Sequence, residues 1–307
     1  MNENKRIIEV RNFTKSYGDF TAVDGISFDI HTGEIFSLLG PNGAGKTTTL
    51  ECLEGLRQPT AGVLDVAGVD PVRESRKLRN IIGVQLQSAG LPENFTPREA
   101  VRFFSAYHGV EPDLKLLDRF SIIEKQNAKI YELSTGQQKR LGLALAVLHD
   151  PKILFLDEPT AGLDVASRIV LHNLMRDMKA RGVTIILATH DMTEAEELSD
   201  RVGILLNGKL VTVGTPMAIT STGKGLTKIS VKTMNGCFLQ AEVKIPAIHH
   251  ALSKEDYMIF FSTDISASLV KIIDYLEDEK DKLIDLRVER TSLEDRFLEI
   301  TQTGEKS

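Results

Sequence analysis

Gly40, Gly45, Lys46 and Thr47 stand at the spacing G-x-x-x-x-G-K-[ST], inside the stretch GPNGAGKTT and directly after the apolar run Ile35-Phe36-Ser37-Leu38-Leu39. That order suits a loop that cradles phosphate between a strand and a helix. Glycines let backbone N–H groups approach phosphate oxygens and accept left-handed torsions, and a helix beginning near Lys46 aims its positive dipole end at the anion. Pro41, Asn42, Gly43 and Ala44 make up the rest of the cradle. Lys46 is placed to reach the β- and γ-phosphates, Thr47 to offer its hydroxyl to Mg²⁺, and Thr48 to support the same first turn.

Such a loop needs partners, and three further groups follow apolar runs. Asp157 and Glu158 come after ILFL, and His190 after IILAT. Asp157 suits the Mg²⁺ shell beside Thr47, while Glu158 suits a base that polarises an attacking water. To converge, these residues must leave parallel strands at one carboxyl edge, where open α/β sheets bind ligands.

The surrounding pattern supplies that sheet. Ile7 to Phe13, Ala22 to Ile30 and Gly62 to Val69 read as half-buried strands, and Ile35 to Leu39 as a buried one. Two continuous apolar strands, Ile153 to Leu156 and Thr184 to Ala188, flank a helix near Val165 to Ala180, the βαβ unit of a parallel sheet. Between Phe95 and Ser134 the pattern is helical. Thr96-Pro97-Arg98-Glu99 opens it with a capping box, and Phe103, Phe104 and Tyr107 recur on one face as candidate core.

After Pro216 the texture changes. Residues 220–226 read as a polar linker and residues 227–307 as a small α+β domain, following a larger α/β domain over 1–219 that holds the phosphate-cradling loop and has a helical part near 88–150. In the small domain Ile229 to Thr233, Phe238 to Val243, Met258 to Ser262 and Leu283 to Val288 read as strands. Leu269, Ile272, Ile273 and Leu276 share a helical face, and Ser292 with Asp295 caps a last helix.

Taken together, the motifs resemble the nucleotide-binding subunit of an ABC transporter over roughly residues 5 to 216. Residues 40–48 match that family's Walker A loop and ILFLDE its Walker B strand; LSTGQ at 133–137 resembles the LSGGQ signature, AGLD at 161–164 the D-loop, and Thr189-His190 the switch histidine. Gln87 in IGVQLQ fits the Q-loop, a ligand to metal and water, and Tyr17 in FTKSYG the aromatic that stacks on adenine. The resemblance implies an α/β P-loop core with an N-terminal antiparallel subdomain and a helical subdomain, ATP and Mg²⁺ as cofactors, and Lys46, Gln87, Glu158 and His190 as the catalytic group.

The signature carries a further implication. Ser134 and the Gly136 amide, at the start of a helix beginning near Gln137, form a second anion site. In the family that site meets ATP on the opposite subunit, so Ser134, Gly136, Gln137 and Asp164 are expected to complete the site of a second copy, or of a homologous subunit, arranged head to tail. Thr135 replaces a consensus glycine. The closing SLEDRFLEIT is similar to the tail of daunorubicin-type drug-resistance exporter ATPases, which implies an integral membrane permease as partner and a peripheral place on the cytoplasmic face of the membrane.

Bulk properties fit this reading. The 307 residues carry a formal charge of -6, which disfavours nucleic acid as partner. Cys52 and Cys237 have no metal-like spacing, and no apolar run approaches the length of a membrane span. The alternative class is a soluble ABC ATPase acting on ribosomes, DNA or protein assembly. Chromosome-type members carry a long coiled coil between loop and signature, yet Lys46 and Ser134 lie 88 positions apart with no sustained heptads.

Overall fold

Alternating burial along the N-terminal segment makes two long antiparallel strands, β1 (Arg6–Tyr17) and β2 (Phe20–His31), paired from Arg6 opposite His31 to Tyr17 opposite Phe20. The computed structural model describes residues 5–86, 90–221, 226–240, 245, 247–290 and 292–304. Buried along its whole length, β3 (Ile35–Leu39) enters a different sheet and delivers the chain to α1 (Lys46–Leu53). The chain then returns through β4 (Ala61–Val66), giving a first sheet in the order β2-β1-β4.

Next come α2 (Ser75–Arg79) and β5 (Ile82–Gln85), then the helical region with α3 (Pro97–His108), α4 (Lys115–Arg119) and α5 (Thr135–Val147). The Thr96–Glu99 capping box is present at the start of α3. Its packed stripe is built from small residues, Ala100, Val101 and Ser105. Phe103 and Tyr107 are therefore left 56% and 61% exposed instead of joining the core as their spacing suggested.

The second half of this unit alternates β6 (Ile153–Asp157), α6 (Val165–Ala180), β7 (Thr184–Thr189), α7 (Met192–Leu198), β8 (Arg201–Leu206) and β9 (Lys209–Gly214). Its sheet runs β5-β6-β7-β3-β8-β9, parallel except for the last pair. One core cluster joins Leu141, Leu154, Met175 and Leu187; another joins Phe13, Phe36, Leu50 and Phe155. Both faces of β3, β6 and β7 are thus covered, and their carboxyl ends share one edge.

The division between compact units falls between Thr215 and Pro216. Thr220 and Ser221, read from sequence as the opening of a linker, instead end a short helix, α8 (Pro216–Ser221), and residues 222–225 lie outside the described residues. The second unit continues with β10 (Thr227–Thr233), α9 (Cys237–Gln240), β11 (Ile248–Lys254), β12 (Tyr257–Ser262), α10 (Ile265–Asp278), β13 (Leu283–Arg290) and α11 (Leu293–Gly304). Ser292 and Asp295 make the reciprocal bonds expected at the start of α11. From β10 to β13 the order is β-α-β-β-α-β, and the sheet is β11-β12-β10-β13 with every pair antiparallel, the split arrangement of ferredoxin-like domains.

Phe238 does not begin a strand. Gly236 turns the chain at φ 68°, and Phe238 then packs from α9 onto Phe260 and Tyr275. β11 was not visible in the sequence because IHHALSK lacks an apolar alternation.

Candidate functional site

The loop after β3 wraps tightly around its own lysine. Gly45 sits at φ 102°, and a Cβ there would lie 2.6 Å from the Ala22 carbonyl oxygen, so glycine is required both for torsion and for space. Lys46 is buried, and its Nζ donates to the carbonyls of Gly40 (2.8 Å) and Pro41 (3.1 Å), 4.0 Å from Glu158 Oε1. Burial pulls its pKa down, against the attraction of Glu158 and Asp157. The cation is held by these two loop carbonyls, short of full solvation and short of a close counter-ion.

A pocket of about 390 Å³ opens above it, running from Tyr17 and Phe20 past Asn42, Gly43, Thr47 and Thr48 to Glu158. Phe20 was missed in the sequence. The signal was the turn Gly18-Asp19, which sets Phe20 opposite Tyr17 across a tight hairpin. The Lys15 ammonium and the Arg57 guanidinium lie 4.8 and 5.6 Å from the Tyr17 ring centre. Tyr17→Ala is expected to weaken ATP binding by about 1 to 3 kcal/mol, the worth of one base–aromatic stack. Titration with a fluorescent nucleotide reads this directly, and unchanged affinity would transfer the stacking role to Phe20.

At the ends of β6 and β7 the acidic groups take different positions. Thr47 Oγ1 donates to Asp157 Oδ2 at 2.9 Å, and Asp157 Oδ1 is buried with no hydrogen-bond partner. Burial raises the Asp157 pKa, while the Thr47 hydrogen bond opposes it. One residue on, Glu158 takes the left-handed φ of 46° and brings Oε1 to 2.9 Å from His190 Nδ1. Gln87 lies outside the described residues. Its neighbour Gln85 is buried and donates from Nε2 to the Lys139 carbonyl at 3.2 Å.

Lys139 stands beside Arg140 on the signature helix, a basic pair that the sequence alone leaves as a solvated face or a dimer contact. It is instead buried, with Nζ 3.2 Å from the Glu158 carbonyl oxygen, because the first turns of α5 pass over the end of β6. Burial lowers its pKa as it does that of Lys46.

The signature forms a separate cluster. Ser134 is the N-cap of α5, which begins at Thr135 and not near Gln137. Its hydroxyl accepts from the Gln137 N–H (3.2 Å), and Gln137 Oε1 accepts from the Ser134 N–H (2.9 Å). Gly136 has a packing reason beyond phosphate approach: a Cβ there would lie 2.7 Å from Ser167 Oγ on α6. Asp164 caps α6, accepting from Ser167 N (2.8 Å) and Oγ (3.0 Å), bonds that hold its pKa down. None of Ser134, Gly136, Gln137 and Asp164 lines the pocket above Lys46 in its own chain.

A second concavity, about 420 Å³ and largely apolar, lies between β5, α3 and α5, with Leu86, Phe104 and Tyr107 around it. His108 and His149 stack there at 3.8 Å between ring centres. Glu54 borders it, with burial first and then Asp157 and Glu51 pushing its pKa from 4.5 up to about 8. Between these values the unfolded chain has released a proton that the folded chain keeps, so this group costs stability progressively as pH rises through that window and by a constant amount above it. Glu54→Gln is expected to flatten that decline. Thermal midpoints at a series of pH values decide it, and parallel curves for the two proteins would remove Glu54 as the cause.

Comparisons with known proteins agree with this geometry. The ABC transporter family model matches residues 23–161. A Nod factor export ATP-binding protein I from Burkholderia orbicola (strain AU 1054) is 39% identical over 254 residues, covering 81% of this chain and 84% of that protein. The "Probable multidrug ABC transporter ATP-binding protein YbhF" of Escherichia coli (strain K12) is 40% identical over 216 residues, 68% of this chain and 37% of its own length. Among solved structures, an ATP-binding subunit of an ABC transporter superposes with a TM-score of 0.65 at 27% identity, over 70% of this chain and 92% of that one. With the phosphate loop, the acidic strand end and the capped signature helix all in place, the chain belongs to the ABC transporter family as an ATP-binding subunit, an ATPase that serves as a transport motor.

Proposed function

We propose that this ATPase is the motor of an exporter, closing as a head-to-tail dimer around two ATP molecules and driving a separate membrane permease from the cytoplasmic face. The observation that carries the dimer is the separation within one chain: the Ser134-capped helix start presents an anion site, yet it is not part of the pocket above Lys46. A second chain supplies the phosphate it lacks. Export rests on relatives named for Nod factor export and multidrug transport.

Within each composite site, the loop amides and Lys46 hold the phosphates, and Tyr17 with Phe20 frames the base. The unpartnered Asp157 Oδ1 and the Thr47 hydroxyl are hard oxygen donors that fit Mg²⁺, whose usual shell is completed by phosphate and water. Bound there, Mg²⁺ neutralises charge on the β- and γ-phosphates. Glu158 accepts a proton from the attacking water, and His190 holds the Glu158 carboxylate in place. The permease docks a segment in the apolar concavity beside Leu86 and Tyr107, between the nucleotide-binding sheet and the helical region. No helix among the described residues is long and apolar enough to cross a membrane, and the separate permease is inferred from relatives named as ATP-binding proteins of transporters.

Mixing two inactive variants tests the composite site. Lys46→Ala and Ser134→Arg each break both sites of a homodimer, whereas a mixed dimer gathers both lesions in one site and leaves the other intact. Mixing is expected to restore part of the ATPase activity, with energy transfer between labelled chains verifying exchange. Full exchange without any recovered activity would overturn the assignment of Lys46 and Ser134 to opposite chains.

A further inference from the structure

We propose that Lys139 is a positioning residue for hydrolysis: it grips the main chain of Glu158 from the signature helix and so fixes where that carboxylate stands. The inference rests on Glu158 as the base, and the experiment below separates the two.

Local sequence does not hold Glu158 in its conformation. It takes φ 46°, a left-handed torsion that a residue with a Cβ keeps only under constraint, and Pro159 follows it. A residue before proline ordinarily settles into extended backbone. The turn that brings the carboxylate to His190 must therefore be imposed by neighbours. Bonds to the Glu158 main chain impose it: its N–H donates to the Ala188 carbonyl of β7 (2.9 Å), and its carbonyl accepts from the Ala161 N–H (3.3 Å) and from Lys139 Nζ (3.2 Å). The lysine bond differs from the other two in being charge-assisted, which makes such a bond roughly twice as strong as a neutral one. It also differs in origin, because it comes from α5.

Lysine is rarely buried unless it is paired, yet Lys139 is only 9% exposed. Its root is fixed as well as its tip. The Lys139 carbonyl accepts from Gln85 Nε2 (3.2 Å), and a Cβ at Gly142 would lie 3.6 Å from the same glutamine side chain, so this stretch of α5 sits close on β5. Tethered at one end and bonded at the other, Lys139 is a strut between β5 and the end of β6. It is not among the residues around the pocket above Lys46, whereas Glu158 is, so its influence on the reaction runs through Glu158 and not through the phosphates. The helix that carries it starts at the Ser134 cap, roughly 7 to 8 Å back along the axis. One rigid element thus bears an anion-binding cap at its start and the hold on the base in its second turn.

Lys139→Met keeps most of the stem and removes the donor. A buried ammonium is unfavourable in itself, so the thermal midpoint of the full-length variant is expected at or above that of the wild type. Its kcat for ATP hydrolysis should nevertheless fall roughly 10- to 100-fold, the cost of a small misplacement at a reacting centre. ATP affinity should stay within about twofold, since the phosphate loop is untouched. A residue needed for folding alone would lose stability together with rate. Added to Glu158→Gln, Lys139→Met should leave the residual single-turnover rate and the ATP affinity where Glu158→Gln alone puts them, because a base that is gone cannot be misplaced. Losses that multiply in the double variant overturn the proposal. So does a Lys139→Met chain that hydrolyses ATP at the wild-type rate while Glu158→Gln is impaired, or one whose thermal midpoint falls along with its rate. A Glu158→Gln chain that turns over normally removes the base, and this role of Lys139 with it.

Discussion

Glu158→Gln should lower steady-state ATP hydrolysis by about 10² to 10⁴ while leaving ATP binding intact. The amide has the shape of the carboxylate and keeps an oxygen for the His190 contact at 2.9 Å, but it has lost the basicity needed to take a proton from water. Nearby cations do not replace it. Lys139 is engaged at the Glu158 carbonyl, and Lys46 belongs to the phosphate loop. With chemistry blocked, the closed state has no exit, so ATP should stay occluded through rapid desalting. Occlusion reports closure whatever the chain's resting oligomeric state, and adding Ser134→Arg should abolish it. A Glu158→Gln protein that hydrolyses ATP at the wild-type rate would move the base elsewhere.

For Lys46→Ala the loss lies in binding. Truncating one member of a buried, hydrogen-bonded charge pair costs about 2 to 5 kcal/mol, so ATP affinity should fall roughly 30- to 5,000-fold. Without ATP the effect on stability should be far smaller, because burial of the ammonium is itself unfavourable and lowers its pKa. The two expectations separate in one experiment. Apo thermal midpoints of the wild type and the variant should lie close together, and the rise that ATP gives the wild type should vanish in the variant. A variant that retains the ATP-induced rise would remove Lys46 from the phosphate site.

The parts of the site that were legible in sequence are those built from contiguous chain. Backbone amides of one loop converge because their torsions follow from local glycines, and Asp157 and Glu158 are marked by the apolar strand that ends in them. Lys139 was illegible for the opposite reason. Beside Arg140 it reads as a solvated face or a dimer contact, and only the packing of α5 against β5 carries its ammonium to the Glu158 carbonyl. Similar logic applies to Phe103 and Tyr107, whose spacing is helical but whose helix packs on its alanine and serine side. Phe238 stood in a short apolar run that periodicity alone assigns to either strand or helix. The ferredoxin-like order of the second unit became visible once β11 and α9 were both in place.

Ser167 meets two elements that the sequence presents as unrelated motifs. It donates to Asp164 through its N–H and its hydroxyl, and the same hydroxyl fills the space that a side chain at 136 would need. The signature helix and the D-loop are therefore cut to one template. In the drift of such a sequence, positions 136, 164 and 167 make a single heritable character: a methyl group gained at 136 requires the Ser167 hydroxyl to swing away or to be lost, and either change takes from the Asp164 carboxylate its hydroxyl partner.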